Sequence, residues 1–75
     1  MENKSEKFIR LAEKRANDII NKLRLIGNLS NRRNYDYSEK EVKELFSAIE
    51  KEIATTKNLF YSELNKEDSK FKFKK

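Results

Sequence analysis

The clearest structural signal in this chain is FIRLAEKRANDIINKLRLI, residues 8–26. Its apolar residues are separated alternately by three and four positions: Ile9, Ala12, Ala16, Ile19, Leu23 and Ile26. On an α-helix this spacing places the side chains along one face. We call this set the α1 stripe. It predicts an amphipathic helix at about residues 5–26.

The ends of this helix have their own signals. Either Asn3, with Glu6 three residues later, or Ser5 is expected to cap its start, because a short polar side chain accepts a hydrogen bond from an unpaired helix amide. Gly27 is expected to end the helix, since glycine readily adopts the left-handed backbone found after helix ends.

A second helix is predicted to start at Glu39, after the capping residue Ser38. Ser38 and Glu41 form a capping-box pattern, and Tyr37 is expected to pack on Val42 as a hydrophobic staple. Its apolar residues again alternate in spacing: Val42, Phe46, Ile49, Ile53, Thr56 and Phe60. We call this set the α2 stripe. The pattern predicts a helix to about residue 64.

Two helices with one apolar stripe each predict an all-α fold, with an antiparallel two-helix hairpin in a domain of residues 1–64. The chain has only 75 residues, of which 36% are hydrophobic, so a single hairpin buries little surface. We therefore predict that two copies pair as a dimeric four-helix bundle. Residues 65–75 form a basic Lys/Phe tail, which could be an extended arm, more helix or, as we expect, a flexible end.

Composition narrows the classes of function. The chain has no histidine and no cysteine, so zinc fingers, catalytic triads and thiol nucleophiles lack their residues. It has no proline and a single glycine, which argues against a glycine-rich phosphate loop. We expect no enzyme activity, no metal and no cofactor. No apolar run reaches the ~18 residues that span a bilayer, so we expect a cytoplasmic protein without a membrane partner.

Opposite the α1 stripe lies a polar face without carboxylates: Arg10, Lys14, Asn17, Asn21, Arg24 and Asn28. These side chains carry the donors that phosphates and base edges accept. All five arginines of the chain precede residue 34, and the net charge is +5. This face, together with Arg32 and Arg33, is a candidate nucleic-acid surface. The alternative is an ordinary solvated helix face, because Glu13 and Asp18 lie close by.

A candidate protein-binding surface lies in the connection at residues 28–37. Arg32, Arg33 and Tyr35 combine charge with an aromatic ring, as binding hot spots often do, and an acidic partner would suit them. Leu29 is an isolated apolar residue, which we expect to be buried under the tyrosines; if exposed, it would anchor a partner. Leu11 and Leu25 lie outside the α1 stripe and could widen the contact or be scattered surface residues.

The chain resembles a group of small helical proteins of bacteria and their mobile elements, over about residues 8–60. The most specific part of the resemblance is Arg-Leu-Ile-Gly-Asn-Leu-Ser-Asn at residues 24–31. The resemblance implies a compact helical unit and carries no biochemical activity or site.

These observations favour a non-enzymatic, self-associating helical protein that binds nucleic acid weakly in an accessory or regulatory role. The alternative is a protein interaction module, an adaptor or an inhibitor of a larger protein, that uses the 28–37 connection.

Overall fold

The computed structural model describes residues 1–68, with side chains to residue 66, and contains two helices. Helix α1 spans Lys4–Asn28 and helix α2 spans Glu39–Asp68. No strand occurs in the described part of the chain, so the all-α prediction is confirmed. The chain divides into two units, of which the first ends at Asp36 and the second starts at Tyr37.

Helix α1 starts with the capping box of Asn3 and Glu6. The Glu6 amide donates to Asn3 Oδ1 at 2.8 Å, and the Asn3 amide donates to Glu6 Oε1 at 3.1 Å. Two amides that the helix cannot pair are thereby satisfied. Of the two predicted caps Asn3 is the one used, and Ser5 lies inside the first turn.

The predicted end of α1 is wrong. Gly27 is helical, no described residue has a positive φ, and the helix runs on to Asn28. Leu29 at the cap is right-handed (φ −73, ψ −8). Its amide donates to the Ile26 carbonyl and the Ser30 amide donates to the Gly27 carbonyl, each at 3.0 Å. These three-residue bonds satisfy two of the carbonyls at the end of the helix without a left-handed residue.

Substituting alanine for Gly27 is therefore expected to stabilise the chain. A Cβ built at Gly27 meets nothing within 4 Å, and alanine reduces the backbone entropy of the unfolded chain. We expect the free energy of unfolding, measured by urea titration at fixed protein concentration, to rise by about 0.5–1 kcal/mol. The reciprocal variant Ala48→Gly, at an exposed site in α2, should lower it by a similar amount. Destabilisation by Gly27→Ala would instead indicate a left-handed glycine.

A short turn follows α1. The Asn31 carbonyl accepts from the amides of Asn34 at 3.1 Å and Tyr35 at 3.0 Å. The Asn31 side chain accepts from the Arg33 amide at 2.9 Å. An asparagine side chain that bonds the backbone two residues later is a common turn-former. Arg33 is thus carried on a hydrogen-bonded turn.

Helix α2 begins as predicted. The Glu41 amide donates to Ser38 Oγ at 3.1 Å, and the Ser38 amide donates to Glu41 Oε1 at 2.8 Å. Tyr37 and Val42 are both half-buried, and the staple between them stays a prediction. The helix continues four residues beyond the predicted end, so residues 65–68, assigned above to the tail, are helical. Phe71 and Phe73 lie outside the described residues.

Candidate interaction surfaces

The α1 stripe is exposed to solvent along most of its length. Ile9, Ile19 and Leu23 have exposed fractions of 52%, 59% and 38%. Ala16 is also exposed, and Ala12 and Ile26 are half-buried. These side chains lie on one face of a single helix. They form a continuous apolar surface that contacts water.

The α2 stripe is exposed in the same way. The exposed fractions of Phe46, Ile53 and Phe60 are 43%, 49% and 52%, while Val42 and Ile49 are half-buried. No residue in the described part of the chain is buried. Apolar surface in contact with water is typical of protein interaction sites, so both stripes are candidates for one.

The isolated apolar residues outside the stripes also contact water. Leu25 and Tyr35 are exposed, and Leu11 is half-buried. Leu29 has an exposed fraction of 46% at the end of α1, so the expected burial under the tyrosines is not observed. The geometry corresponds to the alternative, in which Leu29 is available to a partner.

All candidate nucleic-acid residues on α1 are exposed and lie on one helix face, but two of the cations are paired. The Arg10 guanidinium donates to both carboxylate oxygens of Glu2, with Nε–Oε2 at 2.7 Å and Nη2–Oε1 at 3.0 Å. This hydrogen bond raises the pKa of Arg10 above its ordinary value, because the carboxylate stabilises the charged form. Lys14 Nζ lies 3.5 Å from Asp18 Oδ2.

The ion pairs divide the polar face into two halves. Glu2 and Asp18 reduce the positive potential at its N-terminal half, around Arg10 and Lys14. Asn17 and Asn21 stand between the halves. Arg24 at the C-terminal half and Arg33 in the following turn form no ion pair with any described residue. The strongest donors for a phosphate therefore lie at the C-terminal end of α1 and in the turn after it.

Sequence reasoning missed the role of Glu2. Glu2 precedes the helix cap and lies eight positions from Arg10, so no helical spacing rule connects the two residues. Asp18, in contrast, stands four residues after Lys14, and its proximity was anticipated from that spacing.

No group of three or more His, Cys, Asp or Glu residues within residues 1–68 could hold a metal ion. A concavity of about 730 Å³ lies on the outer face of α2 near its start, lined by Glu39, Lys40, Lys43, Glu44, Ser47, Ala48 and Lys51. One helix forms all of its walls, so it does not enclose a ligand as binding pockets do. Over the described range, neither helix has a segment apolar and long enough to cross a bilayer.

No protein-family model matches this chain, and no curated protein or solved structure is significantly similar to it. The resemblance to small helical proteins of bacteria stays a prediction. The surfaces described above are therefore the basis for a functional proposal.

Proposed function

We propose that this chain is a non-enzymatic helical protein that self-associates through its two stripes and binds nucleic acid weakly through the cations of α1 and the following turn. The dimer is a four-helix bundle built from two antiparallel hairpins. Its biological role is accessory or regulatory.

The observation that carries this proposal is the exposure of both stripes. Ile19 at 59% and Phe60 at 52% lie on helices whose opposite faces are polar. Burying apolar surface contributes about 25 cal/mol per Å², so two amphipathic helices gain most when their stripes are covered. A second copy provides two further stripes of matching length, and four helices around one core satisfy all of them.

Sedimentation equilibrium at two protein concentrations tests the self-association. We expect the weight-average mass to rise from about one chain to two, with helix content rising in parallel because folding and association are linked. A single species of 9.0 kDa at both concentrations would contradict the proposal.

Nucleic-acid binding rests on Arg24 and Arg33, which form no ion pair within the described residues, and on the exposed amides of Asn17 and Asn21. Phosphate contacts release counterions, so affinity for a generic duplex should fall steeply as the salt concentration rises. Titrating duplex and single strands across salt measures this slope. Absence of binding at about 50 mM salt, where such contacts are strong, would contradict this part of the proposal.

The Glu2–Arg10 pair provides a more specific test. Glu2→Gln removes the carboxylate that holds the Arg10 guanidinium and raises the net charge by one. We expect tighter duplex binding, by about three- to tenfold at low salt, with a steeper salt dependence. The matched control Glu39→Gln makes the same charge change at the start of α2, away from the stripe, where it breaks an ion pair with Lys43 at 3.4 Å. Equal effects of the two variants would show that only net charge matters.

The exposure of Leu29 and Tyr35, at 46% and 47%, supports a second candidate function. On this alternative the chain is a protein interaction module whose 28–37 connection binds an acidic partner. Reversing the charges of Arg32 and Arg33 should then release the partner, which a pull-down with and without the variant detects.

A further inference from the structure

Charged residues border both stripes. On α1, Glu13 directly follows Ala12, and Lys22 directly precedes Leu23. On α2, Lys57 directly follows Thr56, and Glu52 directly precedes Ile53. In helices with alternating three- and four-residue spacing, these positions lie along the two edges of the stripe. When the stripe packs against a partner helix, forming an apolar seam between the two helices, the edge residues contact the edge residues of that helix. The four charges are therefore placed to select the partner.

None of these four side chains forms an ion pair within the described residues, and all four are exposed. The ion pairs Lys14–Asp18 and Glu39–Lys43, in contrast, are made along single helices. The charges of the seam edges are thus available to a second helix.

We infer that α1 of one copy docks antiparallel on α2 of a second copy, with Lys22 facing Glu52 and Glu13 facing Lys57. This inference deepens the proposed function and depends on it. When two such helices lie antiparallel, a residue directly before a stripe position on one helix faces a residue directly before a stripe position on the other, as Lys22 faces Glu52. In the same way, residues directly after stripe positions face each other, as Glu13 faces Lys57. Both edges of the seam then join opposite charges.

The same alignment places residues of the α1 stripe opposite residues of the α2 stripe in five layers. Small Ala12 stands opposite large Phe60, and Ala16 stands opposite Thr56. Three layers combine larger side chains: Ile19 with Ile53, Leu23 with Ile49, and Ile26 with Phe46. Pairing a small residue with a large one, as Ala12 with Phe60, lets the two helices approach closely at that layer. Ile9 meets Glu63 in the last layer, at the end of the seam, where water reaches the carboxylate.

Pairing of like helices is unfavourable. A second α1 in antiparallel orientation brings Arg15 beside Lys22. A second α2 brings Lys43 beside Lys57 and Glu52 beside its own counterpart. Like charges at the edges of a seam repel and select against that partner. Both stripes are exposed, and each copy carries one α1 and one α2. The edge charges therefore favour a second copy of this chain as the partner, with α1 of each copy on α2 of the other.

Two charge-exchanged variants test the pairing while keeping the net charge at +5. The first combines Glu13→Lys with Lys22→Glu, and the second combines Glu52→Lys with Lys57→Glu. In either variant alone, the Lys22–Glu52 and Glu13–Lys57 contacts between the two copies, each made twice, become repulsive. We expect the dimer Kd at low salt, from sedimentation equilibrium, to rise about 10- to 100-fold for each.

An equimolar mixture of the two variants should recover a Kd within about threefold of the original chain, because all four charge pairs between the two copies are again attractive. Native mass spectrometry should show the mixed dimer in excess over both homodimers. The control Glu44→Lys with Lys51→Glu makes the same exchange on the outer face of α2 and should leave the Kd unchanged.

Two outcomes would overturn the inference. A mixture that dimerises no more tightly than its components would mean that the edge charges do not pair between copies. Tighter dimerisation of either variant alone would mean that like helices pair. In both cases the original chain still dimerises and the proposed function stands. A monomeric original chain would refute the proposed function itself.

Discussion

Leu23→Asp is expected to abolish self-association. Leu23 lies on the α1 stripe with an exposed fraction of 38%, and the proposed dimer buries it once in each copy. Burying a leucine contributes about 1.5–3 kcal/mol, and the loss counts twice in a symmetric dimer. The dimer Kd should therefore rise by at least about 100-fold, and the charged carboxylate adds a desolvation cost. Sedimentation equilibrium measures the change.

Leu25→Asp is the matched control. It makes the same substitution two residues later in α1, at a side chain that is 57% exposed and lies outside the stripe. Both variants have the same intrinsic helix propensity and net charge, so only the position relative to the stripe differs. We expect Leu25→Asp to change the Kd by less than about threefold. Equal dissociation by both variants would show that the association surface includes the face of Leu11 and Leu25.

The second large effect is expected on nucleic-acid binding. Arg24 and Arg33 form no ion pair within the described residues, so each can neutralise a phosphate without breaking an existing contact. Replacing both by glutamine should lower duplex affinity at least about tenfold at low salt and reduce the slope of log affinity against log salt by about two. Fluorescence anisotropy across a salt series measures both quantities.

Arg10→Gln is the control for this experiment. The Arg10 guanidinium is held by both oxygens of Glu2, so its removal costs the surface little free positive charge. We expect the salt slope to change by much less than one. A loss as large as that of the double variant would place the binding surface at the N-terminal half of α1.

Most of the helical structure follows from short-range patterns. Asn3 with Glu6 and Ser38 with Glu41 are each three residues apart, and their hydrogen bonds close within one helical turn. Such caps depend on neighbours along the chain, so they can be identified from sequence. The Glu39–Lys43 pair, with Nζ–Oε2 at 3.4 Å, was predictable for the same reason.

The candidate surfaces were only partly predictable. Helical spacing identified both stripes and the polar face, because that spacing assigns residues to faces. It did not identify which cations are already paired, since the path of the chain before Asn3 brings Glu2 to Arg10. It also did not predict the exposure of Leu29, because Leu29 lies beyond the end of α1, where helical spacing no longer assigns residues to faces.

The helical character of this protein, the start of α2 and the apolar face of each helix follow from the order of the residues alone. These properties depend on contacts within one or two turns. The three-dimensional structure was needed to show that Gly27 is helical, that α1 ends at Asn28 and that Glu2 forms an ion pair with Arg10. In each case one group can bond to more than one partner: the carbonyls at the end of α1 to different amides, and the Arg10 guanidinium to different carboxylates. Which partner is bound depends on the path of the folded chain.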